Sequence, residues 1–121
     1  MVAAVAVLGG GAWWVQRMTA NAVTIPEFSP RATAGARLFA ENCVTCHGAN
    51  ATGTEQGPPL LHKIYEPGHH PDASFQRAVR QGVMSHHWRF GNMPPVPDLS
   101  RRDVAKVIAY VRELQRANGI P

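Results

Sequence analysis

The sequence predicts an all-α domain in which three to four helices are joined by long loops. No segment shows the sustained two-residue alternation of apolar and polar side chains that a half-buried strand requires. Residues 101–117 carry apolar side chains at helical spacing. Ten prolines and eleven glycines indicate that much of the remaining chain is turn and loop.

Length and composition limit the kinds of protein that this chain can be. A chain of 121 residues is one domain, or one domain with a tail, which argues against a two-domain enzyme. An apolar content of 45% is enough to fill a small core, so wholesale disorder is excluded. The net charge of +4 permits an acidic partner or an anionic membrane surface, but it is too small and too scattered to indicate a nucleic-acid binder.

Residues 1–22 predict either a signal peptide or an N-terminal membrane anchor. Residues 2–15 are uncharged, and as a helix they would reach about 21 Å, which is short for a hydrocarbon core of about 30 Å. The Ala-Asn-Ala run at residues 20–22 is a pattern that precedes signal cleavage. Trp13 and Trp14 would instead help a retained anchor at the interface. Both interpretations imply export, and a buried N-terminal helix is the third alternative.

Residues 23–32 contain Pro26 and Pro30 and show little periodicity. We therefore expect them to form an extended linker to a domain that occupies residues 33–121.

The first helix of the domain is predicted from Thr33 to Cys46. Thr33 is a suitable N-cap, and the residues after it are mostly good helix formers. Leu38 and Phe39 give this helix one apolar face. Gly35 is a poor helix residue, and such a glycine usually marks a place where another backbone comes close.

Residues 48–71 are predicted to form a long irregular loop, because glycines and prolines interrupt every regular period. A loop of this length inside a compact domain needs something to pack on, which a large prosthetic group would provide. Asp72 is expected to cap a short helix over residues 73–81 that ends at Gly82. Residues 83–98 form a second, proline-rich loop.

The last helix, over residues 101–117, has the strongest sequence signals. Ser100 is the predicted N-cap, and Asp103 completes a capping box. Gly119 suits the end of the helix. The apolar stripe at 3.6-residue spacing consists of Val104, Val107, Ile108, Val111 and Leu114.

Both cysteines of the chain lie in one short motif, Cys43-Val44-Thr45-Cys46-His47. This C-x-x-C-H pattern is a signature of c-type haem attachment. Two thiols about one helical turn apart can each bond a vinyl group of one porphyrin, and a histidine directly after them can reach its iron. A chain with two cysteines cannot carry a disulfide framework.

Three other uses of the cysteine pair remain open. A thioredoxin-like redox pair needs a preceding strand, which this sequence lacks. A structural disulfide or an inert thiol pair is the second alternative. A zinc site needs further ligands. Those ligands, or the ligands of a separate second metal, would come from His69, His70, His86 and His87.

The chain from about Thr33 to Ala117 resembles the class I c-type cytochromes, the small bacterial monohaem kind. The resemblance lies in the spacing of Gly35, Phe39, Cys43, Cys46 and His47 and in the run from Val107 to Val111. It implies a cytochrome c fold wrapped around one covalently bound haem c. It also implies that the first and last helices cross, with Gly35 and Phe39 packed against Val107 and Tyr110.

The same resemblance implies which group accepts a hydrogen bond from His47 and which residue is the sixth ligand of the iron. Gly57-Pro58-Pro59-Leu60 is similar to the family's loop, which implies that the Pro58 carbonyl accepts a hydrogen bond from His47 and fixes its tautomer. The Met93-Pro94-Pro95 run stands where the family carries its axial methionine, so His47 and Met93 are the expected metal ligands. Met84 is one alternative. A second imidazole from His86 or His87 is another, and it would lower the redox potential.

Residues 85–90 leave a further choice open. Trp88 or Arg89 would suit the haem propionates, because an indole N–H or a guanidinium binds a carboxylate. Alternatively, Trp88 and Phe90 are wall residues of the pocket and the neighbouring histidines are solvated.

The expected function is electron transfer without catalysis, because histidine and methionine together close the iron to substrates. The redox potential should be positive. We expect a monomer in the periplasm, or on the periplasmic face of the cytoplasmic membrane, whose partners are other redox proteins and not nucleic acid. The last helix offers either a mildly basic docking face or a plain solvated surface. Its basic residues are Arg101, Arg102, Lys106, Arg112 and Arg116.

Two other functions remain open. A labile methionine ligand would give a module that binds or senses a small gas molecule. An N-terminal anchor would instead make the chain a subunit of a membrane oxidoreductase complex.

Overall fold

The computed structural model of the chain describes residues 22–86 and 89–121. The predicted leader therefore lies outside the described residues, except for Ala22. His87 and Trp88 lie outside them as well.

The described part of the chain contains four helices, which are α1 (Pro30–Asn42), α2 (Val44–His47), α3 (Asp72–Gln81) and α4 (Arg101–Ala117). Two short 3-10 turns lie at Ala49–Ala51 and Lys63–Tyr65. Within residues 22–86 and 89–121 there is no strand, only an isolated antiparallel bridge between Val83 and Met93. The all-α prediction is confirmed. None of the helices in this part of the chain has the length and apolar character that a membrane crossing requires.

The first helix begins three residues earlier than predicted and ends before the second cysteine. Ser29, not Thr33, is the N-cap of α1, and its side chain accepts a hydrogen bond from the amide of Ala32. Pro30 stands in the first turn, where its fixed φ suits a helix and its missing N–H is not needed. The helix then breaks at Cys43, where φ is −124°, and α2 begins at Val44.

The segment expected to be a linker packs on the domain. Phe28 lies against the core, with its ring centroid 5.3 Å from that of Tyr110. The amide of Thr24 donates to the side chain of Asn118 over 2.8 Å. The amide and hydroxyl of Ser29 donate to the Glu113 carboxylate over 2.9 Å and 2.6 Å. Residues 23–29 therefore belong to the folded unit.

Helices α1 and α4 touch backbone to backbone at Gly35. A Cβ atom on Gly35 would lie 1.8 Å from the carbonyl oxygen of Lys106, a distance at which no side chain fits. One turn further along, the ring of Phe39 lies 5.3 Å from that of Tyr110. Both residues are buried together with Val107. The predicted contact between these two helices is confirmed.

Helix α3 differs from its prediction at one end. Its N-cap is Pro71, and Asp72 is the first helical residue, so Asp72 does not act as the cap. The carboxylate of Asp72 instead binds Arg112. Gly82, with φ of 75°, ends the helix as predicted.

Helix α4 has the predicted bounds and start. Ser100 accepts a hydrogen bond from the amide of Asp103, whose carboxylate accepts one from the amide of Ser100, so the capping box is complete. Its buried residues include Val104, Val107, Val111 and Leu114, all members of the predicted apolar stripe.

Replacing Gly35 with alanine tests the contact between α1 and α4. We expect Gly35→Ala to lower the free energy of unfolding by about 3 kcal/mol, because the two backbones must move apart to admit a methyl group. The matched control is Gly68→Ala, since a Cβ atom on Gly68 meets nothing within 4 Å. Urea denaturation of both purified variants measures the effect, and equal stabilities would contradict the close contact.

The bond between Ser29 and Glu113 makes part of the stability depend on pH. Burial raises the pKa of Glu113, but the hydrogen bonds from Ser29 and the nearby charge of Arg116 outweigh it and lower the pKa. The stabilisation is therefore complete above the ordinary pKa of 4.5 and is lost as the pH falls through the lower folded value.

We accordingly expect Glu113→Gln to be less stable than the wild type at pH 7, and the difference to shrink by pH 3.5. Denaturant midpoints at the two pH values measure this, with Glu41→Gln, which alters an exposed residue of α1, as the control. A difference that stays constant with pH would refute this assignment.

Candidate functional site

The cysteine motif lies at the junction of α1 and α2. Cys43 ends α1 and is half-buried, whereas Cys46 in α2 is exposed. The amide of His47 donates to the Cys43 carbonyl over 2.9 Å, so one helical turn joins the first cysteine to the histidine. Both thiols are free. Burial, together with the neighbouring Cys46, raises the pKa of Cys43 to about 11.

His47 is held in one orientation by the loop that follows it. Its Nδ1 atom lies 2.9 Å from the carbonyl oxygen of Pro58. Because a carbonyl only accepts hydrogen bonds, Nδ1 carries the proton and the lone pair of the neutral ring is on Nε2. Burial lowers the pKa of His47 more than the Pro58 contact raises it, so the ring is neutral at pH 7. A neutral imidazole with a free lone pair is a metal ligand.

The loop reaches His47 because glycine lets it approach α2 closely. A Cβ atom on Gly57 would lie 2.7 Å from the carbonyl oxygen of Cys46. The Thr54 hydroxyl donates to that same carbonyl over 2.6 Å, and the amide of Gly53 donates to the His47 carbonyl over 2.6 Å. Sequence reasoning identified Pro58 but missed these contacts, for which the glycine directly before Pro58 is the one visible signal.

A cavity of about 400 Å³ opens beside His47. The residues that line it come from all four helices and both long loops. Cys43, His47, Pro58 and Met93 are all among them. Most of the wall is apolar and includes Phe39, Leu60, Phe75, Val79, Val83, Phe90 and Val107.

Met93 is fixed at the cavity wall by backbone pairing. Its amide and carbonyl exchange two hydrogen bonds of 2.9 Å with Val83. Gly82 permits the approach, since a Cβ atom there would lie 2.5 Å from the Met93 carbonyl oxygen. No local pattern indicates this bridge, because its two members lie ten residues apart in a segment without alternation.

The alternative ligands at this end of the cavity lie in a different environment. Met84 and His86 also line the cavity, but both are exposed, Met84 to 80%. The Nδ1 atom of His86 donates to the Met84 carbonyl over 3.0 Å. Met93 is half-buried. Of the two methionines in this loop, Met93 is therefore the one shielded from water.

The histidine pairs give no metal centre in the described part of the chain. The ring of His70 lies 4.9 Å from that of His69 and 6.1 Å from that of His86. Its Nδ1 atom donates to the Ile64 carbonyl over 2.6 Å. No group of three or more histidine, cysteine or acidic side chains within residues 22–86 and 89–121 is arranged to hold a metal ion. Arg89 is exposed, and Phe90 is a wall residue of the cavity.

Arg112 was expected on an exposed basic face, but it is buried and organises the cavity wall. It is 6% exposed, and its guanidinium donates to the Asp72 carboxylate, to the carbonyls of Tyr65 and His70, and to the side chain of Gln115. Its Cζ atom also lies 4.8 Å from the centre of the Phe75 ring. Because residues 65, 70 and 75 all line the cavity, Arg112 joins one loop and α3 to α4.

Gln115 extends this network. It is 1% exposed, and its amide nitrogen donates to the carbonyls of Leu60 and Tyr65, each over 3.0 Å. A buried polar pair on the apolar helix α4 thus donates to three backbone carbonyls of the loop that follows α2, those of Leu60, Tyr65 and His70. The sequence pattern of α4 did not reveal this role.

Comparison with known proteins adds family information to this geometry. The family profile described as Cytochrome c matches residues 32–115. The chain is 36% identical over 93 residues to the "Cbb3-type cytochrome c oxidase subunit CcoP" of Rhodobacter capsulatus, which covers 74% of this chain and 31% of that protein. It is 37% identical over 91 residues to the protein of the same name from Rubrivivax gelatinosus, covering 73% of this chain and 28% of the other.

A relative with a different name matches over a longer stretch. The "Cytochrome c oxidase subunit 2" of Alkalihalophilus pseudofirmus is 31% identical over 109 residues, which cover 84% of this chain and 30% of that protein. The chain thus spans about a third of the length of the curated relatives it matches. No solved structure matches significantly.

Replacing Arg112 tests its role in holding the cavity wall. We expect Arg112→Met to lower the free energy of unfolding by about 3 kcal/mol, because the His70 carbonyl and the side-chain oxygen of Gln115 lose their buried donor and the Tyr65 carbonyl loses one of its two donors. Hydrogen exchange should rise over residues 60–72. Arg102→Met, which alters an exposed arginine at the start of α4, is the control. If the two variants unfold at the same denaturant concentration, the guanidinium does not hold the wall.

Proposed function

We propose a function from one established premise: the chain belongs to the cytochrome c family. It carries one electron at a time on a single c-type haem. Cys43 and Cys46 would bond the haem, and His47 and Met93 would bind its iron. The observation that carries this proposal is a largely apolar cavity of about 400 Å³ whose lining includes both His47 and Met93.

The residues around the cavity fit such a group. Cys43 lines the cavity, and Cys46 follows it one helical turn later in α2. The ring of His47 is neutral, with its Nδ1 proton held by Pro58, so Nε2 is free to bind a metal. The remaining wall is mostly aliphatic and aromatic, as the faces of a porphyrin require.

A haem bound in this cavity supplies an iron that accepts and returns a single electron. The protein supplies the control. The thioether of Met93 and the apolar wall both disfavour the extra positive charge of the oxidised state, so the potential is positive. Pro58 keeps the His47 ring in one tautomer, and the bridge to Val83 keeps Met93 at the wall.

In this function the chain carries out no catalytic step of its own. If His47 and Met93 both bind the haem iron, no coordination position would be left for a substrate. Its partners are redox proteins. We place the protein outside the cytoplasm, in the periplasm or on the periplasmic face of the membrane, since c-type attachment and the apolar residues 2–15 both agree with export.

A second candidate function is supported by the relatives. Three of them are named as subunits of cytochrome c oxidases, and this chain spans about a third of their length. The chain would then serve as the electron-carrying domain of a membrane oxidoreductase. Membranes from the native host separate the candidates: a freely diffusing carrier is released by a salt wash, whereas an anchored subunit remains.

Ligand substitution tests the haem site. In a host that matures c-type cytochromes, the wild-type protein should gain the mass of one haem. The oxidised form should show the sulfur-to-iron charge-transfer band. Met93→Ala should keep the haem but lose that band and fall in potential, whereas the matched variant Met84→Ala should keep both. His47→Ala should give no stable holoprotein.

Several outcomes would overturn these assignments. Colourless protein whose two thiols still react with an alkylating reagent would refute haem attachment. Loss of the band in Met84→Ala instead of Met93→Ala would move the sixth ligand. Ready binding of carbon monoxide by the reduced wild type would favour a gas-binding module with a labile methionine.

A further inference from the structure

One permanent charge is buried in the described part of the chain, and it belongs to Arg112. The buried polar side chains among residues 22–86 and 89–121 are those of His47, Arg112 and Gln115. Burial lowers the pKa of His47, which leaves its ring neutral at pH 7, and Gln115 carries no charge. The charge in the interior of these residues is therefore positive.

This charge lies directly behind the wall of the cavity. Arg112 is not itself a lining residue, but its guanidinium donates to the carbonyls of Tyr65 and His70, and both of those residues line the cavity. Its Cζ atom lies 4.8 Å from the centre of the Phe75 ring, which is also part of the wall. A single layer of residues thus separates the guanidinium from the space in which the haem is proposed to bind.

The carboxylate that pairs with Arg112 does not cancel its charge at the cavity. The side chain of Asp72 is 66% exposed, whereas that of Arg112 is 7% exposed. Water and salt screen an exposed charge much more than a buried one. The other three acceptors of the guanidinium are neutral oxygen atoms. Among the described residues that line the cavity there is no aspartate or glutamate, so a positive field remains there.

The hydrogen bonds that Arg112 makes to the loop do not in themselves require a charge. Gln115, one turn further along α4, donates to the carbonyls of Leu60 and Tyr65 with a neutral amide. Burying an ion costs more free energy than burying an amide. What the arginine adds at this place, beyond the hydrogen bonds, is the charge.

We infer that Arg112 is a tuning residue, whose buried positive charge raises the reduction potential of a haem held in the cavity. The inference rests on the proposed function, because it requires that haem. Reduction adds one electron to the iron and lowers the charge of the site by one, which a positive charge nearby favours. The low effective dielectric constant of the interior lets the field act across the wall.

Potentiometric titration of the holoprotein tests the inference, and the sulfur-to-iron band shows that the iron keeps its ligands in each variant. Arg112→Met should lower the equilibrium constant for reduction by about tenfold, which is a fall of about 59 mV for one electron. Arg112→Lys keeps the charge but loses the forked hydrogen bonds of the guanidinium, and it should lower the constant by less than about threefold.

Replacing the exposed partner should change the potential in the opposite direction. Asp72→Asn removes the negative charge beside Arg112 and should raise the equilibrium constant for reduction by about threefold. A merely loosened wall would admit water and lower the potential instead. The control is Arg102→Met, which removes an exposed charge at the start of α4 and should change the constant by less than about twofold. The shift in Arg112→Met should persist in high salt, because salt screens a buried charge weakly.

The outcomes separate this inference from the proposed function. The tuning role would be refuted if Arg112→Lys lost as much potential as Arg112→Met, or if Asp72→Asn left the potential unchanged or lowered it. If Arg112→Met does not retain its haem, the sign of the shift in Asp72→Asn decides the question. A wild type that holds no haem, or that shows no reversible one-electron transition, would refute the electron carrier itself.

Discussion

The contact of two backbones at Gly35 sets the geometry on which the rest of this structure depends. Because Gly35 has no side chain, the carbonyl of Lys106 comes closer to α1 than it could if any other residue stood at position 35. Beside this contact the ring of Tyr110 packs between the rings of Phe39 and Phe28. Because Cys43 and His47 follow directly from α1, the position of this helix on α4 also determines where the cysteine motif lies.

Helix α4 also supports the wall of the cavity through hydrogen bonds from two buried polar side chains. Arg112 and Gln115 are buried in a helix face that is otherwise apolar, and their donors bind the carbonyls of Leu60, Tyr65 and His70. A loop with so little regular structure would otherwise leave these carbonyls unsatisfied on burial. The buried guanidinium thus takes the place of secondary structure in this part of the wall. Its single carboxylate partner, Asp72, is 66% exposed, so the pair is not fully desolvated.

The site combines a shielded interior with a charged exterior, and both properties follow from the same short stretch of chain. The end of α3, Gly82 and the bridge between Val83 and Met93 bring an apolar wall and a half-buried methionine to the cavity. The same stretch also carries exposed arginines and the exposed Met84.

By itself the sequence determined the features that depend on neighbouring residues. These are the cysteine motif, the limits and capping box of α4, and the need for a close approach at Gly35, all of which rest on local spacing. The resemblance to class I cytochromes then indicated what Gly35 meets. Only the tertiary structure decided that Pro30 starts α1, that α1 breaks at Cys43, and that Arg112 turns inward. It also decided that Met93 pairs with Val83, and that both residues line the same cavity as His47. The reason is physical: a buried guanidinium or a residue in an isolated backbone bridge is stabilised by atoms that are distant in sequence, and no local pattern records them.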